Sequence, residues 1–317
     1  MSIFKDRIGN PPWNYYFLEN LEKCEYPIYL AKLFYLNTGE KLPLKWDFSN
    51  GTRIIDKKRC KTFNQKLQYV KLYGATSLMR DLTDKVKVRD IVREKIGGEY
   101  LKPVLQICNS YDEIDFKKLP NAFVLKCNHG SKWHYIIKNK EEYLKTPKLT
   151  EMIKRRMTGW LEQDYSFFNG FELNYQGIEP KIIIEPLLRE EIDIPDETIQ
   201  VYCFNSIPEL IIRFEKGTEN NTNLYDKEMN VTDDVLSYGD KNIHKLSDDF
   251  IKQTFVYSKQ LSKDFEFVRV DWMIYKNKLY FEELTFTPYS GFNKNLNQKY
   301  NKKFGKLMTL GEKNEFQ

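Results

Sequence analysis

The sequence predicts an α+β fold, on three observations. Runs rich in Val, Ile, Tyr, Phe and Trp come in pairs joined by short polar turns, as antiparallel hairpins do. Helical and strand-like segments interleave without strict βαβ alternation. The chain also lacks GxGxxG, GxxxxGK[ST] and GxSxG, which argues against a Rossmann dehydrogenase, a P-loop NTPase and a nucleophile-elbow hydrolase.

Residues 1–80 read as a mostly helical cap. Tyr15–Leu21 and Ile28–Leu36 form short helices with aromatic faces, and Asn37-Thr38-Gly39 ends the second. Tyr15, Tyr16, Phe17 and Tyr35 suit a packed core, or else a sugar-stacking surface. Pro43–Gly51 is expected to be loop, and Asn64–Leu72 a helix with Leu67, Val70 and Tyr73 on one side.

Residues 81–188 form a second unit. Thr83 can cap a helix to Gly97-Gly98, with Val88, Ile91, Val92 and Ile96 at helical spacing. Lys85, Lys87, Arg89 and Arg93 on it make, taken alone, a solvated face. Ala122–Lys126 and Trp133–Ile137 are strands around the turn Asn128-His129-Gly130-Ser131. Backbone N–H groups of such a turn can hold phosphate, with Lys126 directed at it; His129 reads equally as a plain turn residue. Thr150–Gln163 is an amphipathic helix, Asn169–Gly177 a loop, and Pro180–Leu188 a buried strand that includes Glu185.

Residues 189–317 form the third unit. Thr198–Phe204 and Glu209–Phe214 pair across Asn205–Pro208, with Arg213 and Lys216 as candidate anion contacts. Ser247–Lys263 is a helix capped by Ser247. In the hairpin Phe265–Thr285, a loop of Lys276-Asn277-Lys278 pairs Tyr275 with Leu279, Met273 with Phe281, Asp271 with Glu283, and Arg269 with Thr285. Two opposed carboxylates repel unless a cation lies between them or one is protonated. Oxygen ligands of this kind suit Mg²⁺. A two-residue loop would put Asp271 and Glu283 on opposite faces. An ordinary hairpin with a solvated charged face is the alternative.

Composition limits the partners. The 317 residues are 41% hydrophobic, 30% charged and 15% aromatic, with net charge +5. That balance permits nucleotides or acidic glycans, and with basic residues spread along the chain it disfavours nucleic acid. Five scattered cysteines without CxxC suggest reduced thiols. With no signal-peptide pattern and no apolar run near the ~18 residues of a span, a cytoplasmic protein is expected.

Arg269-Val270-Asp271 on the first strand and the run from Glu282 to Pro288 on the second carry a resemblance. RVD and then EELTFTP resemble the closing motif of ATP-grasp enzymes. The form ELTF.P.SGF, Glu283 to Phe292, is similar to one branch, the TupA-like proteins of bacterial polysaccharide clusters. The resemblance runs from about Asn64 to about Leu310. It implies two sheet-containing lobes with ATP between them, and ATP and Mg²⁺ as cofactors. It implies metal ligands Asp271 and Glu283, with Thr285 where an Asn is usual. Lys85 and Lys126 would reach the phosphates, and His129, Gly130 and Ser131 would lie in the flap over them. Glu185 would meet the adenine amino group, Leu187 or Leu188 would supply a backbone contact, and an acidic residue near Asp193 would take the ribose. Arg269 would stabilise developing charge, with Arg213 and Lys216 near the γ-phosphate or an acidic acceptor. Glu197–Tyr202 departs from the family's Asp-Tyr-Lys, and Gly217–Asn223 lacks its usual His.

The implied reaction is carboxylate–amine ligation through an acyl phosphate, releasing ADP and Pi. The implied acceptors are a uronic acid or amino sugar and a small amine or amino acid, with polysaccharide-biosynthesis enzymes as candidate partners. An ATP-grasp kinase and a degenerate scaffold are the alternatives.

Overall fold

Local sequence signals set the elements, and two antiparallel sheets collect most of the strands. We describe residues 15–168, 170–188, 197–215, 222–230 and 248–311 of a computed structural model. Asp193, Lys216 and His244 lie outside the described residues.

The first helices are α1 (Tyr15–Glu19) and α2 (Tyr26–Thr38). Gly39 ends α2 in the left-handed conformation, φ 72°, which glycine adopts without a Cβ penalty. Where a loop was expected, β1 (Leu44–Asp47) and β2 (Thr52–Ile55) form a hairpin. Its polar turn residues, Ser49-Asn50-Gly51, mask two strands of only four residues. Helix α3 (Phe63–Tyr73) starts at a capping box, in which Thr62 and Gln65 satisfy each other's backbone N–H.

The helix expected from Thr83 starts later, as α5 (Val88–Ile96), and Thr83 belongs to a preceding helix that was not expected, α4 (Ser77–Thr83). Thr83 closes α4 instead of capping α5, and its hydroxyl donates to the Met79 carbonyl at 2.7 Å. The chain turns at Asp84, whose Oδ1 accepts the Val86 N–H at 2.8 Å. That local bond competes with helix continuation.

The central sheet contains β3 (Gln106–Cys108), β4 (Phe123–Cys127), β5 (His134–Ile137) and β6 (Ile182–Pro186), in the order β3-β6-β4-β5. Helices α6 (Lys140–Leu144) and α7 (Pro147–Leu161) accompany it. Ile153, Met157 and Trp160 of α7 join Phe123, Leu125, Ile182 and Ile184 in one core. The spacing of those three residues, i, i+4 and i+7, is what turns α7 onto the sheet.

The larger sheet contains β7 (Glu197–Phe204), β8 (Ile207–Glu215), β9 (Thr222–Asp226), β10 (Phe267–Tyr275) and β11 (Lys278–Thr285), in the order β11-β10-β7-β8-β9. Strand period 2 gives it two different faces. Ile199, Val201, Ile211, Val268, Val270 and Trp272 face the core shared with α8 (Asp248–Leu261) and α5. Trp272 is fully buried, and its Nε1 donates to Ser258 Oγ of α8 at 2.9 Å. On the opposite face Tyr202, Phe204 and Phe267 pack with Phe63 of α3 and Phe304 of α9 (Gln298–Leu307).

Candidate active site

The β10–β11 hairpin has two of the four predicted pairs, Asp271 with Glu283 and Arg269 with Thr285, and reaches them by a different route; the two nearest the turn differ. Its loop is two residues, Lys276 and Asn277, both at positive φ (48° and 56°), so Tyr275 pairs with Lys278 and Met273 with Tyr280. Such a turn matches the right-handed strand twist. Alone it would have slipped the register by one. A β-bulge between Trp272 and Asp271 restores it, with Trp272 opposite Phe281 but Asp271 opposite Glu283 and Arg269 opposite Thr285. A bulge sets two residues of one strand against one of the other. Glu282 and Glu283 together therefore oppose Asp271.

Arg269 and Asp271 form a buried bidentate pair, with Nε to Oδ1 at 2.6 Å and Nη2 to Oδ2 at 2.5 Å. Arg269 also donates to Thr285 Oγ1 at 3.2 Å, and that hydroxyl donates to Glu283 Oε1 at 3.1 Å. Thr285 thus bridges a guanidinium and a carboxylate. Burial pushes the Asp271 carboxyl up, and Arg269 pulls it the other way. Burial prevails, raising the carboxyl to about 7; in the ionised form of Asp271 both of its oxygens accept from the Arg269 guanidinium. An ionised carboxylate has about four lone-pair positions. Arg269 uses two of those on Asp271, and each oxygen keeps one for a cation. Glu283, partly exposed, is the more open of the two carboxylates. Among the described residues no group of three His, Cys, Asp or Glu side chains converges as a metal site. The residues fit a hard cation held by two carboxylates and shared with a ligand's own oxygens.

Across from this hairpin, β4 and β6 carry a second charged group. Val124 pairs with Glu185 and Lys126 with Ile183, which puts Lys126 diagonal to Glu185 on one face. Lys126 Nζ meets Glu185 Oε2 at 2.5 Å. Burial alone would raise Glu185; Lys126, Lys102 and Arg89 overcome it and hold the carboxyl below its ordinary value. Burial likewise opposes the Lys126 charge, and Glu185, Glu282 and Glu283 outweigh it and hold its pKa above the ordinary value. Lys102, in the loop before β3, pairs with Glu282, the residue added by the bulge, and also acts on Glu185 of β6.

Lys85 follows the Asp84 turn. Asn128 fixes that turn: its Nδ2 donates to Asp84 Oδ1 at 2.9 Å and its Oδ1 accepts the Lys181 N–H at 2.7 Å. Lys85 Nζ donates to the Gly130 carbonyl at 2.6 Å. Burial lowers its pKa, and Glu283 opposes the change. Among the described residues, Lys85, Arg89, Lys102, Lys126 and Arg269 thus meet Asp84, Glu185, Asp271, Glu282 and Glu283.

Three sequence expectations change. The turn after β4 does not project His129 and Gly130 toward a ligand. His129 is 3% exposed, with Nδ1 3.2 Å from Asn128 Oδ1 and Nε2 2.9 Å from the Trp160 carbonyl. A Cβ on Gly130 would lie 2.4 Å from the Trp133 ring, so this glycine serves packing. Ser131, half-exposed, keeps access to a ligand. Leu187 donates its N–H to the Ala122 carbonyl at 3.3 Å, which leaves Leu188 for a backbone contact. Arg213 pairs with Ile199, which pairs with Trp272. It is buried on the α8 face, across the sheet from Arg269.

Sequence reading missed Lys102, Glu282 and the network behind the site. Only the bulge makes two adjacent glutamates face one way, and the sequence alone carried no signal for it. Tyr175, in a segment expected to be loop, lies close enough to feel the site: burial is the main cause of its upward shift, Glu283 adds to it and Arg269 opposes it.

The site thus joins Lys126 on the central sheet, Lys85 on the turn between α4 and α5, and Asp271 opposite Glu283 on the larger sheet, an arrangement that fits the ATP-grasp class. The family model for TupA-like ATP-grasp proteins matches residues 65–309, and the chain belongs to that family. No curated protein matches. Among solved structures, D-alanine–D-alanine ligase from Bacillus anthracis, complexed with ATP, is 15% identical with TM-score 0.40, covering 73% of this chain and 64% of that one. The Helicobacter pylori D-alanine–D-alanine ligase is 14% identical with TM-score 0.43, covering 84% and 77%. An L-amino acid ligase from Bacillus licheniformis is 13% identical with TM-score 0.39, covering 70% and 44%. The chain thus spans less than two thirds of the Bacillus anthracis enzyme. No helix among the described residues is long and apolar enough to cross a membrane.

Proposed function

We propose that the protein is an ATP-dependent carboxylate–amine ligase that modifies a uronic acid or amino sugar of a bacterial cell-surface polysaccharide in the cytoplasm. One observation carries this reading: the buried Arg269–Asp271 pair with Glu283 lies opposite a second buried pair, Lys126–Glu185. Charges are this concentrated where a polyanion is to be positioned and its charge neutralised. The sugar acceptor rests on family membership.

In this reading Lys85 and Lys126 leave their protein partners for the phosphate oxygens. Glu185 and the Leu188 backbone then receive the adenine, with Asp193 as a candidate ribose contact. Asp271 and Glu283 hold Mg²⁺, with Thr285 orienting Glu283. When bound, the metal supplies charge neutralisation at the transferring phosphoryl group. Arg269 is fixed by two bonds to Asp271, and it offers a preorganised cation where negative charge develops on the acyl oxygen. Lys216 is a candidate acceptor contact just past β8. A carboxylate acceptor attacks the γ-phosphorus and gives an acyl phosphate and ADP. The amine then displaces phosphate and leaves the amide.

The test is ADP release with Mg-ATP against a matrix of uronic acids and amines, with mass analysis of the products. ADP formed only when both acceptors are present, with a product heavier by the amine less water, supports the ligase. One acceptor gaining phosphate would make the protein a kinase. No ATP binding would leave only a scaffold.

A further inference from the structure

Helix α3 presents a row of buried polar side chains, Asn64, Gln68 and Lys71, to the loop after β11. Their spacing of four and three residues puts them on one helix face. Asn64 Nδ2 donates to the Asn293 carbonyl at 2.9 Å. Gln68 Nε2 donates to the carbonyls of Ser290 at 3.1 Å and Gly291 at 2.8 Å. Lys71, 1% exposed, donates to the Ser290 carbonyl at 3.1 Å and to Ser290 Oγ at 2.8 Å. Its ammonium also lies over the Phe292 ring, 4.3 Å from the centroid.

The loop so held is in an unfavourable conformation. Tyr289, Ser290 and Gly291 have φ of 53°, 51° and 67°, three successive left-handed residues of which two carry a Cβ. Such a run persists only when its surroundings over-determine it. Gly291 suits the positive φ, and a Cβ there would lie 2.3 Å from Gln68 Nε2, displacing the side chain that holds the loop. What the turn presents is Tyr289, 46% exposed, with its ring 6.0 Å from the Arg269 guanidinium carbon.

We propose that Lys71 is a positioning residue: it holds the left-handed Tyr289–Gly291 turn, and with it Tyr289, against the Arg269 end of the site, where the acceptor docks. The identity of that end rests on the ligase reading. Burying an ammonium for packing alone is unfavourable, and burial pushes Lys71 down while Glu172 pulls it back. Glu172 is itself buried and accepts from Thr287, on the same loop. The loop is thus gripped from α3 and from the segment after α7, and Lys71 bonds directly to its strained residue.

Two experiments test this. The first needs no substrate. Cys24 is the exposed cysteine, and the other four are buried. In a Cys24→Ser, Tyr289→Cys protein a spin label therefore reports the turn alone. The label is expected to be immobilised, and to become several-fold more mobile when Lys71→Met is added. Equal mobility in both backgrounds overturns the proposal. The second is kinetic. Lys71→Met is expected to raise the acceptor KM about tenfold and leave the Mg-ATP dissociation constant within twofold. Tyr289→Ala should do the same, and the double variant should be no worse than either single one. A lower Tm for Lys71→Met with unchanged acceptor KM would make Lys71 a merely structural residue. Should Lys71→Met fail to fold, an unchanged acceptor KM in Tyr289→Ala would still overturn the proposal. A wild-type protein inactive with every acceptor pair would sink the ligase reading, while the label would still decide the role of Lys71.

Discussion

Two hairpins carry the two halves of the site, and they do so differently. In β4–β5 the turn, Asn128 to Trp133, folds inward: Asn128 and His129 are buried and Gly130 packs under Trp133. In β10–β11 the turn, Lys276-Asn277, is exposed and carries no chemistry, while the charged residues lie further along the ladder. In both, the functional candidates are borne by strands: Lys126 on one, Arg269, Asp271 and Glu283 on the other. A strand residue's face is set by the period of 2 and by pairing, whereas a turn residue's direction is set by whatever packs beside it.

Perturbing the second ladder should have the largest effect. Asp271→Asn is expected to lower turnover about a thousandfold. It also leaves Arg269 uncompensated, and breaking a buried pair costs about 3–5 kcal/mol, so unfolding should show a clear loss of stability. Glu283→Gln, at a more open position, should lose turnover with little change in stability. Normal turnover in both variants would remove the ladder's chemical role.

The first ladder should respond next. Lys126→Met or Glu185→Met alone strands a buried charge, with an expected cost of about 3 kcal/mol, and combining them should recover most of it. Chemical denaturation of the two singles and the double measures this; simple additivity would mean that the pair is not coupled.

The inward turn predicts a pH effect. Burial holds His129 below its ordinary pKa, chiefly against the hydrogen bond to the Trp160 carbonyl. Its unfolded form binds protons more readily, so stability present above about pH 6.5 should fall as pH drops below that value. His129→Asn should remove this component, with ATP affinity unchanged. Unfolding followed between about pH 5 and 7.5 tests it; a loss of ATP affinity instead would return His129 to the ligand.

The smallest effect is a thiol count. Cys127, at the foot of the same turn, is fully buried and pushed up to about 12. Native protein at about pH 8 should show only Cys24 reacting rapidly, and rapid reaction of a second thiol would mean that the turn opens.

The sequence carried the ladders, because alternation survives in residues such as Val270, Trp272 and Phe281. It did not carry the bulge. A three-residue loop would pair Asp271 with Glu283; the structure makes that pair from a two-residue loop plus one inserted residue, Glu282. Helix breaks were equally opaque, since Asp84 ends α4 through a side-chain bond to Val86 that apolar spacing does not encode. Lys71 was invisible for a similar reason: a lysine within an amphipathic helix reads as solvent-facing, and only the strained loop opposite explains its burial.

The most direct measurement is a calorimetric titration with ATP, with and without Mg²⁺, on the wild type and on Asp271→Asn. Saturable binding that needs Mg²⁺ and weakens at least about tenfold in the variant is the predicted result. Binding indifferent to both Mg²⁺ and Asp271, or no binding at all, would contradict a nucleotide site between the two sheets.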